Sequence, residues 1–294
     1  MRKVLLLGAS GFVGSNIAGE LDRRGYEWLG VGRSRSENGS RIVTLDDESE
    51  IVTFLRDRPI VINALGGLKP QDFVIDFDGA MEEFWRAVQR TLDLLREGSP
   101  SLLLQISSAG TVYGEAPGRP SDELDAPAPR SWYGRMKVVE EALYQQYAHE
   151  FNVMFTCARV TNPFGNENHP THGLVDVLID HVRRDEPFHA CFREGACRDF
   201  IYAPEMAKTL VAMAERPKPG VFNVGRGESV PLAQLIHVLS EQAPWAKIEL
   251  GTANESDVAV SAVSTRKLIE TYEIFPEGPS AIEYLKNKLS QVNR

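Results

Sequence analysis

Two short stretches of the chain hold the residue types that a hydride-transfer reaction needs. The first places Gly8, Gly11 and Gly14 in a G-x-x-G-x-x-G pattern directly after an apolar run. The second, about 120 residues later, holds Tyr133 and Lys137. A glycine turn of this kind can hold a dinucleotide, and a tyrosine beside a lysine can move a proton. Together they indicate a hydride-transfer enzyme, whereas either stretch alone would indicate much less.

Each glycine of the turn meets a different requirement of the backbone. Gly8 permits a tight turn, Gly11 lets the backbone approach a pyrophosphate, and Gly14 lets the next helix pack closely on the strand. The N-terminus of that helix supplies N–H donors and positive potential. A glycine triplet alone would fit a plain turn, but the strand before it and the helix after it favour cofactor binding. The predicted cofactor contacts of this turn are Gly8, Ser10, Gly11, Phe12, Val13 and Gly14.

The spacing of Tyr133 and Lys137 predicts that they share one face of a helix. An ammonium near a phenol favours the phenolate and therefore lowers the pKa of the tyrosine. Such a tyrosine can give or take the proton of an alcohol while hydride moves at its carbon. An amphipathic helix with a half-buried tyrosine and a surface lysine would show the same spacing. The position of the pair after the glycine turn supports the catalytic interpretation.

The glycine spacing, the distant Tyr-x-x-x-Lys and the chain length together resemble the extended short-chain dehydrogenase/reductase family. That group contains the NAD-dependent epimerases, dehydratases and reductases of nucleoside-diphosphate sugars. Further matching segments lie at 107–114, 159–165, 198–202 and 221–225. The resemblance covers nearly the whole chain. It implies a dinucleotide cofactor, with Lys137 bonding the nicotinamide ribose, and a nucleoside-diphosphate sugar substrate.

The resemblance also implies a serine or threonine at the end of the fifth strand as a third catalytic group. In many relatives it stands four residues before the tyrosine of a Val-Tyr-Gly triplet, a position held here by Ala109. An extra residue lies between Ser108 and Thr111. We choose Ser108 as the catalytic hydroxyl and keep Ser107 and Thr111 as competitors and substrate contacts. The two serines could instead merely cap the end of a strand.

Two further departures from the family pattern mark a divergent subfamily. Relatives often carry Asn-Val-x-Gly-Thr in the helix before the fifth strand, and segment 87–91 lacks that asparagine. Segment 203–205 reads Ala-Pro-Glu where relatives have an acidic pair. Retention of Tyr133 and Lys137 argues that the chain is still an enzyme.

The loop after the second strand bears on the choice of cofactor. An NAD enzyme usually has an acid there, which bonds the ribose 2′-hydroxyl. This chain has Arg33, which can pair with a 2′-phosphate, and Ser34 and Arg35 can add donors. The sequence therefore favours NADP, with NAD as the alternative if Arg33 is only an exposed loop residue. By resemblance, Asp46 bonds adenine and Leu65 lies where backbone lines the cofactor.

The resemblance assigns two substrate contacts in the second half of the chain. Asn162 matches an amide that bonds the substrate diphosphate, and Arg198 matches a guanidinium that pairs with diphosphate or nucleoside. Alternatively, Asn162 stabilises a loop and Arg198 forms a surface ion pair with Asp199.

The leading functional prediction is an NADP-dependent reductase of a 4-keto sugar nucleotide, with Tyr133 as the general acid. An epimerase that retains NAD(H) is the alternative, and a non-catalytic NADP sensor or scaffold is the second. A dehydratase is disfavoured because Ala109 and Gly110 lie where its Asp-Glu pair would stand.

Composition excludes several other classes of protein. Of 294 residues, 43% are hydrophobic, and a net charge of −9 leaves no basic surface for nucleic acid or anionic membranes. No 18-residue apolar run is present, so neither a membrane span nor a signal peptide is expected. Three cysteines, an odd number without metal-ligand spacing, fit reduced cytoplasmic thiols and predict no metal site.

Apolar strands alternate with helical patterns in the first half, which predicts an α/β fold with a Rossmann-type doubly wound parallel sheet. Strands are predicted at 3–7, 28–32, 42–45, 60–63, 102–107 and 153–158, and helices at 11–24, 48–56, 81–97 and 133–150.

By resemblance, the dinucleotide-binding domain spans 1–162, with about 191–227 returning to it. The smaller, interleaved substrate lobe is formed by 163–190 and 228–294. Paired helices at 81–97 and 133–150 predict a homodimer.

Overall fold

The computed structural model describes residues 3–35, 41–166, 172–253 and 257–292. Its strands are β1 (Lys3–Leu7), β2 (Glu27–Val31), β3 (Ile42–Val43), β4 (Ile60–Asn63), β5 (Leu102–Ser108), β6 (Met154–Val160), β7 (Asn162–Phe164), β8 (Phe188–Ala190), β9 (Cys197–Arg198), β10 (Phe200–Tyr202), β11 (Gly220–Val224), β12 (Val230–Pro231), β13 (Ile248–Leu250) and β14 (Val260–Ser261).

Its helices are α1 (Phe12–Arg23), α2 (Glu48–Leu55), α3 (Asp72–Ile75), α4 (Phe77–Glu97), α5 (Ala109–Val112), α6 (Trp132–Glu150), α7 (Leu174–Arg184), α8 (Ala203–Glu215), α9 (Leu232–Gln242), α10 (Arg266–Tyr272) and α11 (Ala281–Leu289). Across these described segments, no helix is both long enough and apolar enough to cross a bilayer.

A seven-stranded sheet in the order β11-β6-β5-β4-β1-β2-β3 forms the centre of the fold. β1 pairs in parallel with β2 and β4, and the next pairs outward, β2 with β3 and β4 with β5, are also parallel. Because parallel neighbours need crossover connections, helices alternate with these strands along the chain. The predicted doubly wound α/β fold is confirmed.

The chain divides into two compact units. The first comprises Met1–Ser108, Trp132–Arg159 and Ala207–Phe222, and the second comprises Ala109–Ser131, Val160–Met206 and Asn223–Arg294. In the first unit, apolar residues of the strands pack with α2, α4 and α6, and Tyr144 and Tyr147 of α6 belong to this core. In the second, α7, α9 and α11 pack around Phe164 and Phe200.

The glycine turn has the close approaches that its spacing predicts. Gly8 has a φ of +81°, in the left-handed region, and a Cβ there would overlap the carbonyl of Ala64. A Cβ on Gly14 would overlap the carbonyl oxygen of Gly8. Strand, turn and helix therefore meet backbone to backbone, which only glycine permits.

We predict opposite effects for two alanine substitutions in the same helix. Gly14→Ala should lower the free energy of unfolding by about 1–3 kcal/mol, because the methyl group overlaps fixed backbone. Gly19→Ala is the matched control: nothing lies within 4 Å of its Cβ, so it should raise stability by about 0.5–1 kcal/mol. Urea denaturation measures both, and two changes of the same sign would contradict the packing described here.

Candidate active site

Helix α6 presents Tyr133 and Lys137 on one face. The Lys137 Nζ lies 5.8 Å from the centre of the Tyr133 ring, and Lys137 is only 7% exposed. Its ammonium pairs with the Glu140 carboxylate at 2.8 Å. Burial is the largest influence on the pKa of Lys137 and lowers it, but the charge and hydrogen bond of Glu140, together with Tyr133 and Tyr144, outweigh burial and the net shift is upward. A permanent positive charge therefore lies beside the phenol of Tyr133.

The two serines at the end of β5 have different surroundings. The Ser107 hydroxyl donates to the Glu141 carboxylate at 2.5 Å, and Arg159 pairs with the same carboxylate through two bonds of 3.0 and 2.7 Å. All three side chains are buried. The Ser107 hydroxyl is thus bound into a structural cluster, whereas Ser108 is half-buried. Thr111 belongs to α5, in the second unit.

Sequence reasoning missed Glu140 and Glu141, the two buried glutamates of α6. Glu141 follows Lys137 by four residues, so helical spacing alone places it on the same face. Its partner Arg159 stands in a segment that matches the family pattern, yet nothing in the sequence pairs the two. The ion pair joins α6 to β6 and holds the helix that carries Tyr133.

The loops that follow β1, β2 and β4 belong to the first unit and have the features of a dinucleotide cradle. A Cβ on Gly66 would lie 3.4 Å from the Lys137 Nζ, and one on Gly67 would lie 3.1 Å from an Arg33 nitrogen. Backbone therefore runs close to both cations. Helix α1 begins after Gly11, which has no side chain to cap it, and a helix N-terminus of this kind can bind an anion. These features fit NAD(P), a cofactor that binds at the carboxyl ends of the strands in a doubly wound sheet.

The cations of the loop after β2 differ in their partners. Arg33 is exposed, and its guanidinium donates to the Gly67 carbonyl at 3.4 Å. Arg35 pairs instead with two carboxylates, Glu50 at 2.7 Å and Asp47 at 3.4 Å. Of the two arginines, Arg33 is the one whose side chain has no carboxylate partner among the described ion pairs.

Two other predicted cofactor contacts, Asp46 and Leu65, lie beyond the ends of β3 and β4. The Asp46 side chain is 85% exposed and pairs with Arg90 at 3.0 Å. The backbone N–H of Leu65 donates to the Asn63 side chain at 3.2 Å. Both residues lie just beyond their strands, where ligands of parallel sheets bind.

In the second unit, Asn162 and Arg198 are tied to protein groups. The Asn162 amide donates to the Asp199 carbonyl at 2.8 Å. The Arg198 guanidinium pairs with Asp257 at 2.6 Å and donates to the Ala259 carbonyl at 3.0 Å. The alternative of a surface ion pair between Arg198 and Asp199 is wrong, because Asp199 is fully buried and accepts backbone N–H bonds. The partner of Arg198 lies 59 residues further along the chain.

Residues 4–225 match the family model described as the NAD dependent epimerase/dehydratase family. The chain belongs to that family. The Kitasatospora kifunensis dTDP-6-deoxy-L-talose 4-dehydrogenase (NAD(P)(+)) is 27% identical over 258 residues, 82% of this chain and 79% of its own. The Escherichia coli dTDP-4-dehydro-6-deoxyglucose reductase is 29% identical over 148 residues, about half of each chain (49% and 46%).

Solved structures of similar fold cover nearly the whole chain. The Thermus thermophilus UDP-glucose 4-epimerase, in complex with NAD, superposes with a TM-score of 0.84 at 23% identity over 99% of both chains. That likeness establishes the fold. The described residues contain no group of three or more histidine, cysteine or acidic side chains that could hold a metal ion.

We predict that Asp199 makes the stability of the protein depend on pH. Burial raises its pKa to about 7, against opposing hydrogen bonds from the N–H groups of Arg226 and Gly227. The folded protein thus binds this proton more tightly than the unfolded chain, whose aspartate has a pKa near 3.8. The contribution of Asp199 to the free energy of unfolding should therefore rise as the pH falls from about 7 to about 4.

The measurement is the Tm of the wild type and of Asp199→Asn across that pH range. The variant should lack the part of the rise that Asp199 contributes. Asp176, whose pKa burial raises to about 6, acts in the same direction, so the difference between the two proteins is the quantity to compare. Parallel curves would show that Asp199 is charged at all these pH values.

Proposed function

We propose that this member of the epimerase/dehydratase family is an NADP-dependent reductase that reduces a 4-keto group of a nucleoside-diphosphate sugar. The observation that carries the proposal is the phenol of Tyr133 beside the buried, charged Lys137 on α6. The names of two relatives, a 4-dehydro sugar reductase and a sugar 4-dehydrogenase that takes NAD(P)+, support both the substrate class and the reaction.

In this proposal the reacting groups are Ser108, Tyr133 and Lys137. NADPH, when bound, supplies the hydride. The Tyr133 phenol donates its proton to the sugar oxygen as the C=O bond becomes an alcohol, and the Ser108 hydroxyl holds that oxygen in place. Tyr133 is left as a phenolate, which the Lys137 ammonium stabilises until solvent returns the proton.

We assign the cofactor and substrate contacts as follows. The glycine turn and the N-terminus of α1 hold the pyrophosphate, and Lys137 bonds the nicotinamide ribose. Arg33 pairs with the 2′-phosphate, while Asp46 and the backbone at Leu65 line the adenosine and nicotinamide sides. Asn162 and Arg198 bind the diphosphate of the substrate.

An epimerase that retains NAD(H) is the alternative, and the T. thermophilus structure with NAD favours it. It would use the same tyrosine and lysine to oxidise and re-reduce one sugar. Arg33, in a loop without the acid that bonds an NAD ribose, favours the reductase instead. Retention of both Tyr133 and Lys137 argues against a non-catalytic sensor or scaffold.

We also propose a homodimer through α4 and α6. Most large apolar residues of these helices pack into the core of their own chain: Phe84, Val88, Leu92, Leu95, Tyr144 and Tyr147. Leu143 packs against the same core, so Trp85, which is 41% exposed, and the half-buried Val138 are left to contact a second copy. Cys157, Cys191 and Cys197 are free thiols, which supports a cytoplasmic location.

Tyr133→Phe should lower turnover by at least ~10²-fold, because it removes the general acid while keeping the ring. The assay follows NADPH oxidation with a panel of 4-keto sugar nucleotides. NADPH affinity and Tm are the controls, and both should stay near the wild-type values. Turnover close to that of the wild type would show that the proton comes from another group.

Arg33→Ala should weaken NADPH binding by about 2–3 kcal/mol, the scale of a charge-assisted bond, and leave NADH binding almost unchanged. Arg35→Ala is the matched control: its guanidinium is held by Glu50 and Asp47, so the loss should be smaller. Fluorescence titration of each protein with NADPH and with NADH measures these affinities. A wild type that prefers NADH, or equal losses for both cofactors, would reject NADP and favour the epimerase.

A further inference from the structure

A second acidic residue on α6 contacts the lysine of the candidate active site. Glu140 stands three residues after Lys137 and is 9% exposed. Its Oε2 accepts from the Lys137 ammonium at 2.8 Å and lies 3.4 Å from the Gln105 amide nitrogen on β5. A buried carboxylate is costly unless it is paired and hydrogen-bonded. Glu140 meets both conditions, because Lys137 pairs with it and Gln105 lies within hydrogen-bond distance.

Behind Glu140, the polar chain continues through two buried amides. The Gln105 carbonyl oxygen accepts from the Asn63 amide at 2.7 Å, and its nitrogen also donates to the Ile106 carbonyl at 3.1 Å. The Asn63 oxygen then accepts from the backbone N–H of Leu65. The Lys137 ammonium is thereby linked through Glu140 to the end of β4, where the proposed cofactor site begins.

Side chains of α4 and of a later turn of α6 also contact this row of polar side chains. The Tyr144 hydroxyl is hydrogen-bonded to the side chains of Thr91 and Asn63, and Tyr144 is buried. Both amides keep a fixed orientation when each of their polar ends has a partner. Glu140 therefore meets Gln105 in one defined geometry.

The other titratable groups that face Lys137 do not balance its charge. Tyr133 and Tyr144 share its helix, and burial raises the pKa of Tyr144, which keeps its phenol neutral. From β6, Cys157 faces the cluster, and burial raises the pKa of its thiol, so it too is uncharged. Glu141 is engaged by Arg159 and Ser107. Glu140 is left as the counter-ion of Lys137 within the described part of the chain.

We propose that Glu140 is a positioning residue that holds the Lys137 ammonium in its charged form beside Tyr133, through the buried chain Lys137–Glu140–Gln105–Asn63. The reaction it serves is the one proposed above, on which this role rests. Glu140 touches neither cofactor nor substrate in this role and acts through Lys137. Without the carboxylate, burial is the largest remaining influence on Lys137, and it favours the neutral amine.

The test measures the protonation of Lys137 itself in the full chain, with and without NADPH. Lysine labelled with ¹³C at Cε reports the charge of each amine by NMR, and Lys137→Met assigns the signal. In the wild type the signal should stay that of an ammonium up to pH ~10. In Glu140→Gln its pKa should fall by at least about one pH unit, because the buried amine has lost its counter-ion.

Two further variants complete the design. Glu140→Asp keeps the charge but moves it away from the ammonium, so the Lys137 pKa should fall measurably, by less than in Glu140→Gln; it also serves if the glutamine variant does not fold. Glu141→Gln removes the neighbouring buried carboxylate; it should lower Tm, since Arg159 loses its partner, but leave the Lys137 pKa in place. With a 4-keto sugar nucleotide, Glu140→Gln should also move the alkaline limb of kcat to lower pH.

An unchanged Lys137 pKa in Glu140→Gln, or in Glu140→Asp should only that variant fold, would overturn the proposal. So would an equal fall in Glu141→Gln, because the effect would then be one of general structure. The NMR result does not depend on the reaction: if the chain proves to be no reductase, the Lys137 shift still decides the role of Glu140.

Discussion

A positive charge buried between a helix and a sheet constrains the candidate site more than any other interaction in the structure. Lys137 is almost wholly removed from water, and an ammonium in such surroundings loses its proton unless a negative group compensates. Glu140 supplies that group at 2.8 Å. The charge can then act on the phenol of Tyr133, which is the electrostatic condition for the proposed acid.

The two adjacent glutamates of α6, Glu140 and Glu141, have different roles in the candidate site. Glu141 pairs with Arg159 and Ser107 and fixes the helix against β5 and β6. Glu140 pairs with Lys137 and Gln105 and sets the charge of the lysine. Because a helix turns about 100° per residue, neighbours can face different strands. At the cofactor turn, the close packing at Gly8 and Gly14 fixes the geometry instead, because backbone shape matters more there than charge.

Much of the fold could be predicted from local patterns. The strands before and after the glycine turn, and the helix that carries Tyr133, follow from short-range hydrophobic periodicity, which does not depend on distant partners. Boundaries were harder to predict: α4 begins at Phe77 and not at 81, because the Asp76 carboxylate caps it by accepting from the N–H of Gly79. A capping carboxylate next to an apolar residue gives only a weak signal in the sequence.

The site was harder to predict where it depends on pairs that are far apart in the chain. Glycine spacing and Tyr-x-x-x-Lys are local and were found. Gln105 with Asn63, Glu141 with Arg159 and Arg198 with Asp257 join residues that are 18 to 59 positions apart. No local pattern specifies such a partner. The alternative of a surface pair between Arg198 and Asp199 was wrong for this reason: Asp199 is buried, and the N–H groups of Arg226 and Gly227 donate to its carboxylate.

The central claim, that the chain delivers hydride from NADPH to a keto sugar, is tested most directly by following the hydride. The protein is incubated with 4-keto sugar nucleotides and NADPH that carries deuterium at C4 of the nicotinamide, on the face from which hydride is transferred. The account predicts one deuterium on the sugar for each NADP+ formed, read by mass spectrometry. Conversion of one sugar nucleotide into its epimer without net formation of NADP+ would contradict it.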